Sequence, residues 1–387
     1  MTKLADKALL PAGLKDVLPP HAAQEADLVA RLIHCLTVRG YERVKPPLIE
    51  YEGTLLAGAG GDVAQQTFRL MDPVSQQMVG LRADMTPQVS RIAATRLGNA
   101  PRPLRLCYAG QVLQVKGGQL RPERQFGQVG AELIGAAQER ADAEVVVAAA
   151  EALAAIGVAG LSVDLNLPPL VGLVAADLGL DEARVAAVRQ ALDRKDVAAV
   201  GEVAGADAEP LYALLRAAGP ADSALVALRG LSLPKAAAAE VDRLERVIAL
   251  VREAASDLTL TVDPVENRGF EYQTGISFIL FARGVRGELG RGGRYAGRAD
   301  GAGDDGREPS TGFTLYTDSI LRALPEPEQT PRLFLPAECA EAQARDLRGQ
   351  GWITVAGLDD GADARAEARR LACSHALIDG QIVAVAD

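Results

Sequence analysis

The chain changes its hydrophobic period twice, and that change limits the folds open to it. Up to about Gly157 and again after Leu258, runs of alternating apolar residues read as strands separated by turn signals. Between those points helical stripes dominate, in Ala-rich segments such as 183–191 and 234–253, broken at Gly201, Gly219 and Gly230. A helical block of that length inside a strand-rich chain reads as an insertion, about residues 157–258, in an α+β domain with a mostly antiparallel sheet. The run Pro325-Glu326-Pro327-Glu328-Gln329-Thr330-Pro331 then marks a domain boundary. Domains are therefore expected at 1–324 and 332–387, the second a small α/β module in which strand and helix alternate.

Within the first domain, 21–40 reads as a helix. Leu28, Val29, Leu32, Ile33 and Leu36 form one apolar stripe, and Gly40 supplies a stop. Residues 41–50 read as a strand broken by Pro46-Pro47, which places it at an edge or an interface, because proline cannot donate to a ladder. Gly58 to Gly61 reads as a mobile loop. Residues 68–81 read as a hairpin turning at Asp72-Pro73, with a helix over 87–97 and further strands at 104–115, 125–134 and 276–282. In the second domain 333–335 and 353–355 read as strands, 339–347 and 363–372 as helices, and 376–385 as a hairpin.

At 387 residues the chain supports two or three domains, and 48% hydrophobic with 24% charged residues describes a globular protein. A net charge of −10 argues against broad electrostatic affinity for nucleic acid. No apolar run reaches the ~18 residues of a membrane helix, and the N-terminus lacks the pattern of a secretory signal, so a cytoplasmic location is expected. Cys35, Cys107, Cys339 and Cys373 show no pairing or metal-ligand spacing and read as free thiols. No metal and no cofactor is expected.

Three stretches carry chemistry. Arg124-Gln125-Phe126-Gly127-Gln128-Val129-Gly130-Ala131-Glu132 places Gln128 and Glu132 on one face of a strand. Arg268-Gly269-Phe270-Glu271-Tyr272-Gln273-Thr274-Gly275 combines a guanidinium, an aromatic and small residues. Gly292-Gly293-Arg294-Tyr295 holds a glycine pair that suits a tight backbone turn. Each alone also suits a solvated face, a core aromatic or a turn, and their order and spacing make the case.

Together these stretches resemble a class II aminoacyl-tRNA synthetase core of the histidyl branch, over about Leu10 to Leu324. Arg268 to Gln273 corresponds to the first histidyl-specific signature and Gly292 to Gly297 to the second. The run Leu81-Arg82-Ala83-Asp84-Met85-Thr86-Pro87-Gln88 is similar to the stretch that presents a carboxylate and a threonine to the substrate's α-amino group. Carried over by position, the resemblance implies that Asp84, Thr86 and Gln128 hold a histidine ammonium, that Glu132 faces its imidazole and that Arg268 takes the carboxylate side. Tyr295 then closes the pocket, with Tyr272 either doing the same or turned into the core. The second aromatic of the family's Tyr-Tyr pair is Gln273 here.

Two departures bear on function. The positions where such enzymes grip ATP with arginine are Gln114 and Ser319 in this chain, with Lys116 or Arg121 as neighbours of the first. A bulky Tyr316 stands where the family has glycine, in Gly312-Phe313-Thr314-Leu315-Tyr316-Thr317-Asp318-Ser319. A neutral amide cannot offer a phosphate the bidentate fork of a guanidinium, and losing one such donor costs about 2.7–4 kcal/mol of transition-state stabilisation. The combination resembles the regulatory subunits of ATP phosphoribosyltransferase, synthetase-like proteins without catalytic residues of their own.

That resemblance implies a homodimer through the synthetase-like core, joined to a short-form catalytic subunit in the first step of L-histidine biosynthesis and making it sensitive to histidine, with no tRNA and no membrane partner. The effector site is then either this pocket or one on the catalytic partner. The C-terminal module, about half the usual size, is read as a remnant of an anticodon-binding domain. The alternative is a divergent histidyl-tRNA synthetase or a synthetase-like ligase.

Overall fold

The computed structural model describes residues 9–57, 61–118, 121–205, 208–266, 273–298, 307–327 and 330–385. The chain divides into two compact units, Met1–Pro325 and Glu326–Asp387. The expected loop at Gly58 to Gly61 falls largely outside the described residues; a short helix, Gly61–Gln66, follows it.

In chain order the strands of the first unit are β1 (Glu42–Arg43), β2 (Ile49–Tyr51), β3 (Phe68–Met71), β4 (Met78–Leu81), β5 (Leu104–Leu113), β6 (Gln125–Ile134), β7 (Leu161–Asn166), β8 (Gly219–Pro220), β9 (Thr259–Asp263), β10 (Gln273–Ala282), β11 (Gly290–Arg298) and β12 (Arg307–Tyr316). Among the described residues nine of them form one sheet in the order β1-β5-β6-β12-β11-β10-β7-β9-β8, and β2, β4 and β3 form a second. The large sheet is antiparallel except where β1 meets β5 and β7 meets β9. The unit is an α+β fold, and the sheet's middle strands, β6, β12 and β11, come from opposite ends of its sequence.

Helices cover the sheet because their apolar stripes have nowhere else to go. The His21–Thr37 helix buries Leu28, Leu32, Ile33 and Leu36, each of which stabilises the fold by about 1.5–3 kcal/mol relative to exposure. The Glu139–Ala155 helix is buried along most of its length, and small alanines let it lie close to the strands. The Pro46-Pro47 break is held by a buried arginine: Arg82 Nη1 donates to Pro46 O at 3.1 Å and its Nε to Gln111 O at 2.8 Å, joining the segment to β5.

Two expectations change. The block at 157–258 is not helical throughout: it opens with β7, paired on one side to β10 and on the other to β9. Val163 and Leu165 alternate with Ser162, Asp164 and Asn166, a period-two signal in a run of only six residues, outweighed by the long alanine-rich helices after it. The glycine pair is not a turn. Gly292 and Gly293 lie inside β11, paired to Phe313 and Gly312 of β12. A Cβ on Gly292 would strike Gly312 O and the Phe278 ring, and Gly293 has φ +151°, so close strand approach and backbone conformation both require glycine there.

In the second unit β13 (Arg332–Leu335), β14 (Ile353–Ala356), β15 (His375–Ile378) and β16 (Gln381–Ala384) form a sheet in the order β14-β13-β15-β16. β13 is parallel to both its neighbours, and β15 and β16 form a hairpin. Leu333 and Leu335 pack with Leu347 on one face, while Phe334 packs with Ala368 and Ala376 on the other. A strand covered on both faces accounts for its unbroken apolar sequence.

Candidate functional site

The alternation of β6 sends Gln128, Gly130 and Glu132 to one face of the sheet, above a cavity of about 250 Å³. Asp84, Thr86, Gln128, Glu132 and Tyr295 all lie on its wall. Asp84 comes from the loop before the Thr86–Thr95 helix, Thr86 opens that helix, and Tyr295 comes from β11. Arg268 and Tyr272 lie outside the described residues.

Glu132 is 1% exposed and accepts three hydroxyl hydrogen bonds. Thr86 Oγ1 donates to its Oε1 at 3.0 Å, Tyr108 OH to the same oxygen at 3.2 Å, and Tyr295 OH to Oε2 at 2.9 Å. Burial nevertheless pushes its carboxyl up to about 8, with the nearby Asp84 charge adding to the rise and the hydroxyls opposing it. Desolvation wins because hydroxyl dipoles replace only part of the lost hydration. Near neutral pH, Glu132 therefore holds a proton, which is released to solvent when a cationic or donor-rich ligand binds against the carboxylate.

Asp84 is half-buried, and burial raises its carboxyl too, countered by the Gln128 amide and by the backbone N–H groups of Thr86 and Met85. Gln128 is fixed at its other end, where Oε1 accepts from Met85 N at 3.1 Å. Two acids separated by hydroxyls and an amide make a wall rich in acceptors, suited to a ligand bearing an ammonium and ring N–H groups.

Tyr108, on β5, was not singled out in the sequence. It is fully buried, and its hydroxyl meets Thr86 Oγ1 at 3.2 Å and Thr314 Oγ1 at 2.8 Å besides Glu132. The only signal for it was an aromatic on the same strand face as Leu106. Arg294, inside the second motif, points away from the cavity. Its Nε and Nη2 meet Asp142 Oδ2 at 3.0 and 2.9 Å, and Nη1 donates to Ala136 O at 2.8 Å. Strand alternation sends its neighbour Tyr295 to the opposite side.

The cavity also carries two guanidinium groups on its wall. Gln114, Arg121, Arg291 and Tyr316 line it, with Gln273 beside them. Gln114 Nε2 reaches Ala83 O at 3.4 Å, and Gln273 Nε2 donates to Gly292 O at 3.2 Å. Ser319 is buried and accepts from Arg121 Nη2 at 3.2 Å and Arg322 Nη2 at 3.0 Å. Arg291 pairs with Glu288 at 2.7 Å. Tyr316 is buried edge-on to Phe126, the ring centroids 5.8 Å apart. Among the described residues no cluster of His, Cys, Asp or Glu has the arrangement of a metal site, and no helix is long and apolar enough to cross a membrane.

A sequence profile of the histidyl-tRNA synthetase family matches residues 13–320. Over 385 residues, covering 100% of both chains, the sequence is 58% identical to a protein of Paramagnetospirillum magneticum named ATP phosphoribosyltransferase regulatory subunit. The fold matches a Bacillus halodurans structure described as an ATP phosphoribosyltransferase regulatory subunit/histidyl-tRNA synthetase, with TM-score 0.81 and 24% identity over 94% of this chain and 96% of that one. It also matches a histidyl-tRNA synthetase from Nostoc, with TM-score 0.79 and 18% identity over 96% and 91%. These two likenesses establish the fold.

Proposed function

The chain belongs to the histidyl-tRNA synthetase family, among its ATP phosphoribosyltransferase regulatory subunits, and on that premise we propose that it is the non-catalytic regulatory subunit of an ATP phosphoribosyltransferase in histidine biosynthesis. The observation that carries the proposal is the full-length 58% identity to a protein of that name. The cavity is consistent with it: Asp84, Thr86, Gln128 and Glu132 line it together with Gln114, and by the resemblance Gln114 and Ser319, the latter held against Arg121, take the positions of the synthetase arginines.

In this reading the cavity binds histidine. Asp84, Thr86 and Gln128 receive the ammonium, Glu132 faces the imidazole, Arg268 is assigned to the carboxylate, and Tyr295 closes the pocket, a role the resemblance also gives to Tyr272. The partner is a short-form catalytic subunit, and the chain pairs with a second copy of itself through the β2-β4-β3 sheet beside Pro46-Pro47. Histidine regulates only if it binds one state of the complex better than another, since equal occupancy of both shifts nothing.

The test is phosphoribosyl transfer to ATP by a short catalytic subunit, with and without this chain and with and without histidine. Rate that requires this chain and falls with histidine is the expected result. No effect of the chain, together with histidine-dependent ATP–pyrophosphate exchange by the chain alone, would instead identify a synthetase. Arg268→Ala tests the site: calorimetric histidine affinity equal to the native chain's would refute the carboxylate assignment.

A further inference from the structure

We propose that the side chain of Arg121 fills the slot that a planar nucleobase would enter, so that the cavity accepts a free amino acid and rejects ligands carrying a nucleoside. The proposal rests on the amino-acid reading above and adds what sets the upper limit on ligand size. The Arg121 guanidinium carbon lies 3.7 Å from the centroid of the Tyr316 ring and 4.8 Å from that of Phe126. A guanidinium is flat, weakly hydrated and stacks on aromatic faces much as a nucleobase does. The two cannot occupy the same face.

The group is pinned from several elements at once. Nη2 donates to Ser319 Oγ at 3.2 Å, Nε lies 3.3 Å from Asp318 Oδ2, and Glu288 Oε1 is 4.0 Å from Nη2. Phe126 comes from β6, Tyr316 from the end of β12, Asp318 and Ser319 from the helix Thr317–Leu321, and Glu288 from the turn before β11. Ser319, the position where the resemblance calls for a nucleotide-binding arginine, is thus spent on holding the arginine that closes the slot. The remaining space, about 250 Å³, falls below the ~300–1,000 Å³ of pockets that hold drug-sized ligands. Exclusion is therefore built in as an obstacle, over and above any lost attraction for phosphate.

Arg121→Ala opens the slot without stranding its partners. Asp318 keeps Arg322 at 3.3 Å and Glu288 keeps Arg291 at 2.7 Å. The experiment is calorimetry on the full chain with three probes: L-histidine, adenosine and their sulfamoyl-linked conjugate. The native chain is expected to bind L-histidine, and Arg121→Ala to bind it within about threefold. The conjugate is expected to bind Arg121→Ala at least about 100-fold more tightly than the native chain. A gain of binding is an effect that general loosening of the fold does not produce. Equal affinity of the two proteins for the conjugate, tight or absent, overturns the proposal. If neither protein binds L-histidine while adenosine is captured by Arg121→Ala alone, the role of Arg121 stands and the amino-acid reading falls.

Discussion

The carboxyl of Glu132 lies where a side chain at position 312 would have to sit. A Cβ built on Gly312 collides with Glu132 Oε2 and lies 2.6 Å from Ala131 O, because the two residues are paired across β6 and β12. Gly312→Ala must therefore displace either the central strand or the buried acid. Overpacking of this kind costs about 1–3 kcal/mol. Denaturant unfolding should register that loss, and histidine titration should show a further loss of binding. Full histidine affinity in a destabilised Gly312→Ala protein would show that the position of Glu132 is immaterial to the ligand.

Glu132 also gives stability a defined pH dependence. Burial raises its carboxyl from 4.5 to about 8, so between those values the folded chain keeps a proton that the unfolded chain has released. Its contribution is fully present below about pH 4.5 and is lost as pH rises toward 8, at up to about 1.4 kcal/mol per pH unit. Glu132→Gln keeps the shape and removes the titration. The stability of the native chain relative to this variant should fall by about 2–3 kcal/mol from pH 5.5 to 7.5. Parallel curves for the two proteins over that range would mean that Glu132 is already ionised in the fold.

What was legible in the sequence follows from how local each signal is. Gln128 and Glu132 share a strand, so a period of two was enough to place them on one face. Asp84 and Thr86 are two residues apart at a helix start and travel together. Tyr108 was invisible because its significance depends on Thr86, Glu132 and Thr314, which only the strand order brings to it. Arg121 could be weighed only as a neighbour of Gln114. Its stack needs Tyr316, 195 positions away, and no periodicity links the two. The fold class was open to reading because helical and strand periods are distinct over long stretches. The short β7 was lost where six alternating residues stood against a run of helices that ends in one of twenty residues.

Arg294 is a case where motif and geometry separate. It belongs to the stretch that resembles a histidyl signature, yet its partner is Asp142, and the two side chains are 5% and 4% exposed. Removing one member of a buried pair leaves an uncompensated charge, so Arg294→Met should cost about 3–5 kcal/mol. Replacing both, as Arg294→Met with Asp142→Leu, should recover much of that loss, since apolar pairs of similar volume pack acceptably. A thermodynamic cycle over the two singles and the double measures this. Additive losses would show that the two charges stabilise the sheet independently.

The three-stranded sheet offers the clearest test of assembly. Tyr51, Val79 and Leu70 stand in register across β2, β4 and β3, lining with Ile49 and Pro47 a groove of about 650 Å³. Ile49 and Tyr51 are 43% and 48% exposed, and Met71 57%. So small a sheet is marginal with one apolar face in water, and a second copy would cover it if the contact buries the ~1,200–2,000 Å² typical of stable pairs. Ile49 and Leu70 can be changed without touching the cavity around Glu132, since neither lines it. Sedimentation should therefore give a dimer for the native chain and a monomer for Ile49→Lys with Leu70→Glu. Histidine binding per chain then separates assembly from the site. An unchanged sedimentation coefficient in the double variant would move the dimer contact to another face.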